Sequence, residues 1–182
     1  WRWFGDSKAV DAQGKPLVMY HGTNADFTEF DASRLGTRDA GFYGRGFYFT
    51  PDEADAEEYA DTAVEDSGAG NSTVVETYLS LQNPFIWDMS YDGEGADATR
   101  AALAEMGIQR ESTRGDSNAL GNPDERRRFM AAMKAAGHDG VIVRDEDGIR
   151  EVVAFRSTQI KSATGNNGNY DLQNPSILAD VT

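Results

Sequence analysis

Four side chains of this sequence could do chemistry together: His21, Tyr48, Tyr59 and Glu151. Tyr48 and Tyr59 belong to "GRGFYFTPDEADAEEYA", residues 44–60, in which a short aromatic strand runs into a helix. Tyr48 stands at the mouth of that helix and Tyr59 lies two turns inside it, on the same face as Ala56 three residues earlier. A strand that feeds back against its own helix can set two phenol rings opposite each other with a planar slot between them. Flat heteroaromatic groups fill such slots, each stacking contact contributing roughly 0.5–1.5 kcal/mol beyond area burial. Taken singly, each tyrosine is better explained as a core residue. His21 ends a strand beside a glycine, a position that a satisfied structural histidine also occupies. Glu151 opens "EVVAF", an otherwise apolar strand. Its carboxylate is either an edge group facing solvent, the default for glutamate, or a group held in a cleft against developing positive charge, as glycosyl transfer requires. Spacing alone does not choose between them.

The totals narrow the chemistry. The chain has no cysteine, which excludes disulfides, thiolate zinc sites and cysteine nucleophiles. Its two histidines, His21 and His138, lie far apart, so no metal site is expected; His138, in "AAGHDGVIV", fits a turn between a helix stop and a strand. With 31 acidic against 17 basic residues the net charge is −14, a field that repels polyanions and makes nucleic acid a poor partner. Small anionic ligands remain open, because a few well-placed donors can hold a phosphate. No apolar stretch approaches the roughly 20 residues of a membrane span, and the N-terminus lacks a signal-peptide shape, so a soluble chain without a membrane partner is expected. The 182 residues suit one domain. Starting at Trp1 rather than Met, that domain is expected to be excised from a longer polypeptide or processed.

The elements that must position these residues follow from patterning. "PLVMYHGT", 16–23, reads as a strand stopped by Gly22. "GFYFT" is a second, short strand, and Thr50-Pro51-Asp52-Glu53 then gives a capping-box pattern with proline at the first helical position. The helix is expected from about Pro51 to about Ala63, with acidic residues at the positive end of its dipole. "STVVETYLSLQNPFIW", 72–87, alternates as one long strand with Val75, Thr77, Leu79 and Leu81 on one side. "DATRAALAEMG" is a short helix, followed by a polar loop from Gln109 to Gly121. Asn122-Pro123-Asp124-Glu125 repeats the capping logic, and Phe129, Met133 and Ala136 form a buried stripe before Gly137. "GVIVRD" and "IREVVAF" are joined by the turn Glu146-Asp147-Gly148, and a turn-rich tail runs from Gly165 to Pro175. This order predicts an α+β domain with mostly antiparallel sheets.

"YHGT" (20–23), "GRGFYFTPDEADAEEY" (44–59) and "EVVAF" (151–155), in that order, resemble the ADP-ribosyltransferase fold. The resemblance is to its His-Tyr-Glu branch, which includes the poly(ADP-ribose) polymerases and diphtheria toxin. It is closer still to the ADP-ribosyltransferase domains of polyvalent and MuF-type phage or prophage proteins, since "WFGDSKAVDAQGKPLVMYHGT" and "QIKSATGNNGNYDLQNPSI" read like members of that group. It covers most of the chain, least well from about 88 to 121. It implies two packed, mainly antiparallel sheets with flanking helices, NAD as substrate and no metal. His21 would bond the adenine-side ribose, Gly22 would offer its backbone to the nicotinamide carboxamide beside Thr23, and Tyr48 and Tyr59 would hold nicotinamide. Glu151 would bind the 2′-hydroxyl of the nicotinamide ribose and stabilise the oxocarbenium ion, with Arg34 and Arg45 as diphosphate partners. Catalysis is thus assigned to Glu151, His21 and Tyr48.

Two departures from that pattern matter. Ala56 stands where many polymerase-type members have a carboxamide-binding serine, and Ile149 stands where arginine-specific toxins have Glu or Gln. Arginine as acceptor thus has no direct support, and neither has polymer elongation; single transfer of ADP-ribose to a protein side chain is expected, the alternatives being NAD hydrolysis and a binding module without turnover. The acceptor, expected to be a host protein in a bacterial cytoplasm, is assigned to recognition by the 35–43 loop and the 109–121 segment.

Overall fold

Among the described residues, apolar alternation sorts seven short strands into two sheets. A computed structural model describes residues 2–35, 41–90, 96–109, 120, 123–165 and 173–178. In chain order the elements are β1 (Met19–Thr23), β2 (Phe47–Phe49), α1 (Glu53–Ser67), β3 (Thr73–Leu79), β4 (Phe85–Asp88), α2 (Ala96–Glu105), α3 (Pro123–Ala135), β5 (Gly140–Asp145), β6 (Gly148–Ala154) and β7 (Ile160–Ser162). One sheet has the order β1-β3-β7 and the other β2-β6-β5-β4. Every pairing is antiparallel except β4 with β5. This is the α+β architecture expected.

Each strand sends alternate residues to opposite faces, which builds two apolar layers. Met19, Leu79 and Ile160 of the first sheet meet Phe47, Phe49, Ile142, Val152 and Ala154 of the second in a core between the sheets. On the outer face of the four-stranded sheet, Phe85, Trp87, Val141, Val143 and Val153 pack under Ala98, Ala102 and Leu103 of α2 and Phe129 and Met133 of α3. Burying each large side chain contributes roughly 1.5–3 kcal/mol. The third helix, α1, lies against β1 and β3.

Five expectations about these elements need correction. The first strand is shorter than expected, because Pro16 pairs back with Val10 and the ladder begins only at Met19. In α1 the N-cap is Asp52, whose carboxylate accepts from the Ala54 N–H at 2.9 Å, not Thr50. Thr50 is unavailable because its N–H and C=O are bonded to Tyr20 at 3.0 and 2.8 Å. The helix then runs a turn past Ala63 and stops at Gly68, which takes φ 62°. Lastly, Ala136 is exposed, since α3 ends at Ala135 before the stripe can repeat. Asn122 lies outside the described residues.

The fifth correction is the largest. The stretch 72–87 is two strands in different sheets, not one. The break is held by Asp139, whose two carboxylate oxygens accept the Gln82 and Asn83 N–H groups at 2.7 and 3.0 Å. The Gln159 side chain reinforces it, donating to Ser80 O and Asp139 O at 3.2 and 2.9 Å. Pro84, with no N–H to give a ladder, follows directly. Asp139→Ala leaves two part-buried N–H groups without an acceptor, so it is expected to lower the unfolding free energy by about 2 kcal/mol or more. Urea denaturation should show this, with Asp139→Asn, which keeps one acceptor oxygen, falling between the two.

Candidate active site

The two sheets meet at the bridge between Tyr20 and Thr50, and the motif residues gather around it. One residue beyond Tyr20, the His21 ring packs on Phe30 and Phe49 at centroid distances of 4.9 and 5.4 Å. Its Nδ1 lies 2.8 Å from the Tyr48 carbonyl oxygen. A carbonyl can only accept, so Nδ1 carries the proton and the neutral ring keeps its lone pair on Nε2. Burial pushes the His21 pKa below its ordinary 6.5, opposed in part by the bond to Tyr48.

Gly22 explains how close α1 can come. A Cβ built there would lie 2.0 Å from Ala56 O and 2.9 Å from Ala60 N, so only glycine lets the helix rest on β1. Ala56 and Ala60 are both buried in that contact. Tyr59, expected on the same face as Ala56, instead stands at its rim, 58% exposed. Asn24, just past β1, fixes the other end of α1 through bonds from Nδ2 to Ser67 Oγ at 2.8 Å and Ala69 O at 3.1 Å. The Thr23 hydroxyl accepts from Ala25 N at 3.2 Å.

Tyr48 points away from the inter-sheet core. Its neighbours Phe47 and Phe49 fill that core, so strand alternation sends the Tyr48 ring to the outer cluster. There its hydroxyl donates to Gly44 O at 2.5 Å and accepts from Tyr43 N at 3.0 Å. His21 is therefore tied to Tyr48 through the main chain and not ring to ring.

Glu151 reaches the same face through a bulge. Tyr48 pairs with Val153, and Glu151, two residues before Val153, shares its face. Tyr48 and Glu151 are thus diagonal neighbours, roughly 7–8 Å apart in sheet geometry. On β5, Val143 opposes Glu151 while Arg144 opposes Ile149, which leaves Arg150 as an extra residue. The extra residue reverses the alternation: Ile149 packs on the inter-sheet core and Glu151 stays on the outer face, half-buried. The adjacent cations are engaged elsewhere, Arg144 with Asp88 and Arg150 with Asp145, each at 3.3 Å.

One residue near Glu151 escaped the sequence reading. Burial raises the Tyr43 pKa, and the negative charge of Glu151 raises it further. Only the proximity of Tyr43 to Tyr48 in "FYGRGFY" could have signalled it. Of the expected diphosphate partners, Arg45 is exposed between Gly44 and Gly46, while the Arg34 side chain lies outside the described residues. So do 36–40 and 110–119, most of the two segments assigned to acceptor recognition, and 166–172 of the tail. His138 is a turn residue, its Nδ1 3.1 Å from Asn83 O. Among the described residues no group of three or more His, Asp or Glu could hold a metal ion, and no helix is long and apolar enough to cross a membrane. An open hollow of about 560 Å³ beside Phe4, Asp6, Lys8 and Pro16 involves none of the motif residues.

The family described as ADP-ribosyltransferase in polyvalent proteins matches residues 11–170. The chain belongs to that family. No curated protein matches it. Among solved structures, this ADP-ribosyltransferase domain has a likeness to the M. tuberculosis MbcT–MbcA toxin–antitoxin complex, with TM-score 0.41 and 15% identity over 82% of each chain. A second is to an anti-CRISPR protein, with TM-score 0.35 and 15% identity over 76% of this chain and 89% of that one. Both are too remote to carry an argument.

The lowered His21 pKa has a consequence for stability. Between its ordinary value of 6.5 and its lower folded value, the unfolded chain binds more protons than the folded one, so stability falls as pH drops through that window. Above it the residue contributes no pH dependence. Comparing urea midpoints at about pH 7.5 and about pH 5, the wild-type domain should lose more stability on acidification than His21→Gln. The paired comparison removes the effect of partly neutralising a chain of net charge −14.

Proposed function

We propose that this domain transfers a single ADP-ribose from NAD to a protein side chain, releasing nicotinamide, and that it works as a His-Tyr-Glu enzyme. Family membership supplies the reaction class. The observation that supports the assignment of residues is that β2 links the other two motif strands: from β1 His21 bonds the Tyr48 main chain, and from β6 Glu151 shares a sheet face with the Tyr48 side chain.

The chemistry needs little more than a fixed carboxylate. As the N-glycosidic bond of NAD breaks, its electron pair leaves with nicotinamide, which becomes neutral, and positive charge develops on the ribose. Glu151 would bond the ribose 2′-hydroxyl and face that charge, and an acceptor side chain would then attack the anomeric carbon and lose its proton. His21, neutral and bearing its lone pair on Nε2, suits acceptance of a hydrogen bond from a sugar hydroxyl. Tyr48 and Tyr59 would flank nicotinamide, with Gly22 and Thr23 at its carboxamide and Arg45 and Arg34 towards the diphosphate.

One feature supports the choice of acceptor class, and a second bears on the carboxamide. Ile149 packs into the inter-sheet core, on the opposite face from Glu151, so no acidic or amide group stands there to receive an arginine. Ala56 is buried against Gly22, so the carboxamide is held without a serine at that position. A phage-encoded modifier of host proteins acting in a bacterial cytoplasm is the setting this reading proposes.

Labelled NAD incubated with the domain and a bacterial lysate tests it. Label is expected on protein, with nicotinamide released in proportion. Glu151→Gln is expected to slow both by about 10²–10³ or more, as for loss of other preorganised electrostatic groups. Nicotinamide without labelled protein would identify water as the acceptor. Undiminished turnover in the variant would remove Glu151 from the mechanism.

A further inference from the structure

The segment from Asn174 to Leu178 is tied to two places at once. On one side lies β7, an edge strand of its sheet, whose Ser162 N–H donates to Ile177 O at 2.8 Å. On the other, the Ile177 N–H donates to Thr28 O at 2.8 Å and Ser176 forms a bridge with Glu29. Thr28 and Glu29 stand between Phe27 and Phe30, whose rings meet edge-on at 4.7 Å and pack on the His21 ring at 6.4 and 4.9 Å. A residue of β7 locks this strap in place. Lys161 is only 1% exposed, and its ammonium donates to Asn174 O at 2.7 Å and Ser176 O at 2.5 Å. The Asn174 side chain closes the turn that presents those carbonyls, its Oδ1 accepting the Ser176 N–H at 2.9 Å. Lysine is almost never buried this far unless it is paired, and here it supplies donors to main-chain carbonyls that an apolar residue would leave unmet.

We propose that Lys161 is a positioning residue for His21: by clamping the 174–178 strap, it holds the Phe27–Phe30 segment against the imidazole and fixes the ring whose Nε2 meets the sugar hydroxyl. The role rests on the functional reading of His21 given above. Each link from Lys161 to His21 is a direct contact: ammonium to strap carbonyls, strap N–H to Thr28, and phenylalanine rings to imidazole. Phe49 packs on the imidazole as well, and the Tyr48 carbonyl holds Nδ1, but both come from β2. The strap governs the remaining contacts, so loosening it admits water to the ring without disturbing the bond to Tyr48. The tail motif "QIKSATGNNGNYDLQNPSI" thereby gains a function at both described ends, Lys161 as the clamp and Asn174 to Ile177 as the part that is held.

Two variants of the intact domain test this. Lys161→Met keeps the unbranched stem and deletes the ammonium. Asn174→Ala, at a half-buried position, opens the turn from the other side and carries the test should the first variant fail to fold. The first readout is the titration midpoint of His21, followed by NMR of its ring; the chain has two histidines, and His21→Gln assigns the signals. Burial holds the His21 pKa below 6.5, so a ring that gains water should titrate closer to that value, with the His138 signals left in place. The second readout is steady-state nicotinamide release from NAD. Its KM is expected to rise about two- to tenfold, the worth of one hydrogen bond, with kcat within about twofold, as for a contact made equally in the ground and transition states. An unchanged His21 midpoint in the folded variants overturns the proposal whatever the activity. So does a disturbance shared equally by His138, which would mark general loosening, and a raised midpoint with unchanged KM overturns the positioning role. If the wild-type domain releases no nicotinamide while its His21 midpoint still depends on Lys161, the clamp on the ring stands and the functional reading falls.

Discussion

The short seam between Tyr20 and Thr50 governs the rest of this structure. Those two residues exchange main-chain hydrogen bonds at 2.8 and 3.0 Å, which joins β1 of one sheet to the residue after β2 of the other. Committing both groups of Thr50 to the seam delays the helix start to Asp52 and Glu53. The helix must then fold back over the strand it has just met, which it can do only where β1 carries no side chain. Gly22 meets that demand, with Ala56 and Ala60 as its partners. Consecutive residues of one strand thus serve different ends: Tyr20 joins the sheets, His21 donates to β2 and Gly22 admits the helix. Thr23 closes the following turn.

Alternation about this seam separates apolar from polar work. Phe47 and Phe49 go to the inter-sheet core and Tyr48 to the outer face, so one three-residue strand feeds both layers. The bulge at Arg150 does the same for β6, sending Ile149 and Glu151 to opposite faces. Had β6 kept strict alternation, Ile149 and Glu151 would share a face, and either the carboxylate or the isoleucine would be misplaced. His21 is the exception on the core side. Its ring is lodged among Phe27, Phe30 and Phe49, where desolvation disfavours the charged form and its single described bond goes to a carbonyl.

Local signals were legible in the sequence wherever one segment settles its own structure. The hairpin turn at Glu146-Asp147-Gly148 and the helix over 97–105 follow from patterning, and β5 and β6 form as read. What alternation could not reveal was Asp139, distant in sequence, capturing the Gln82 and Asn83 N–H groups and splitting one strand into two. The cap at Asp52 was hidden for the same reason, because Thr50 was already claimed by Tyr20. In the candidate site, the motifs single out His21, Tyr48 and Glu151 as candidates by their order. The bulge that orients Glu151 arises from cross-strand register, which single-sequence periodicity does not encode.

The acidic excess places a further constraint on how such a site can operate. A net charge of −14 raises the cost of bringing a diphosphate to the surface, although salt screens charges beyond about 8–10 Å. Attraction of NAD must therefore come from donors within that distance, and Arg45, exposed between two glycines, is among the few cations near Tyr48 in the chain. The same field acts in the opposite sense on the bond-breaking step, where the ribose becomes cationic and the departing nicotinamide neutral. Negative potential then stabilises the developing charge, most strongly from whichever carboxylate lies nearest the ribose, with the remaining acidic surface a weak, screened background. Binding is thus opposed and bond cleavage assisted by one charge distribution, which favours a substrate held by stacking and hydrogen bonds over one drawn in by electrostatic steering.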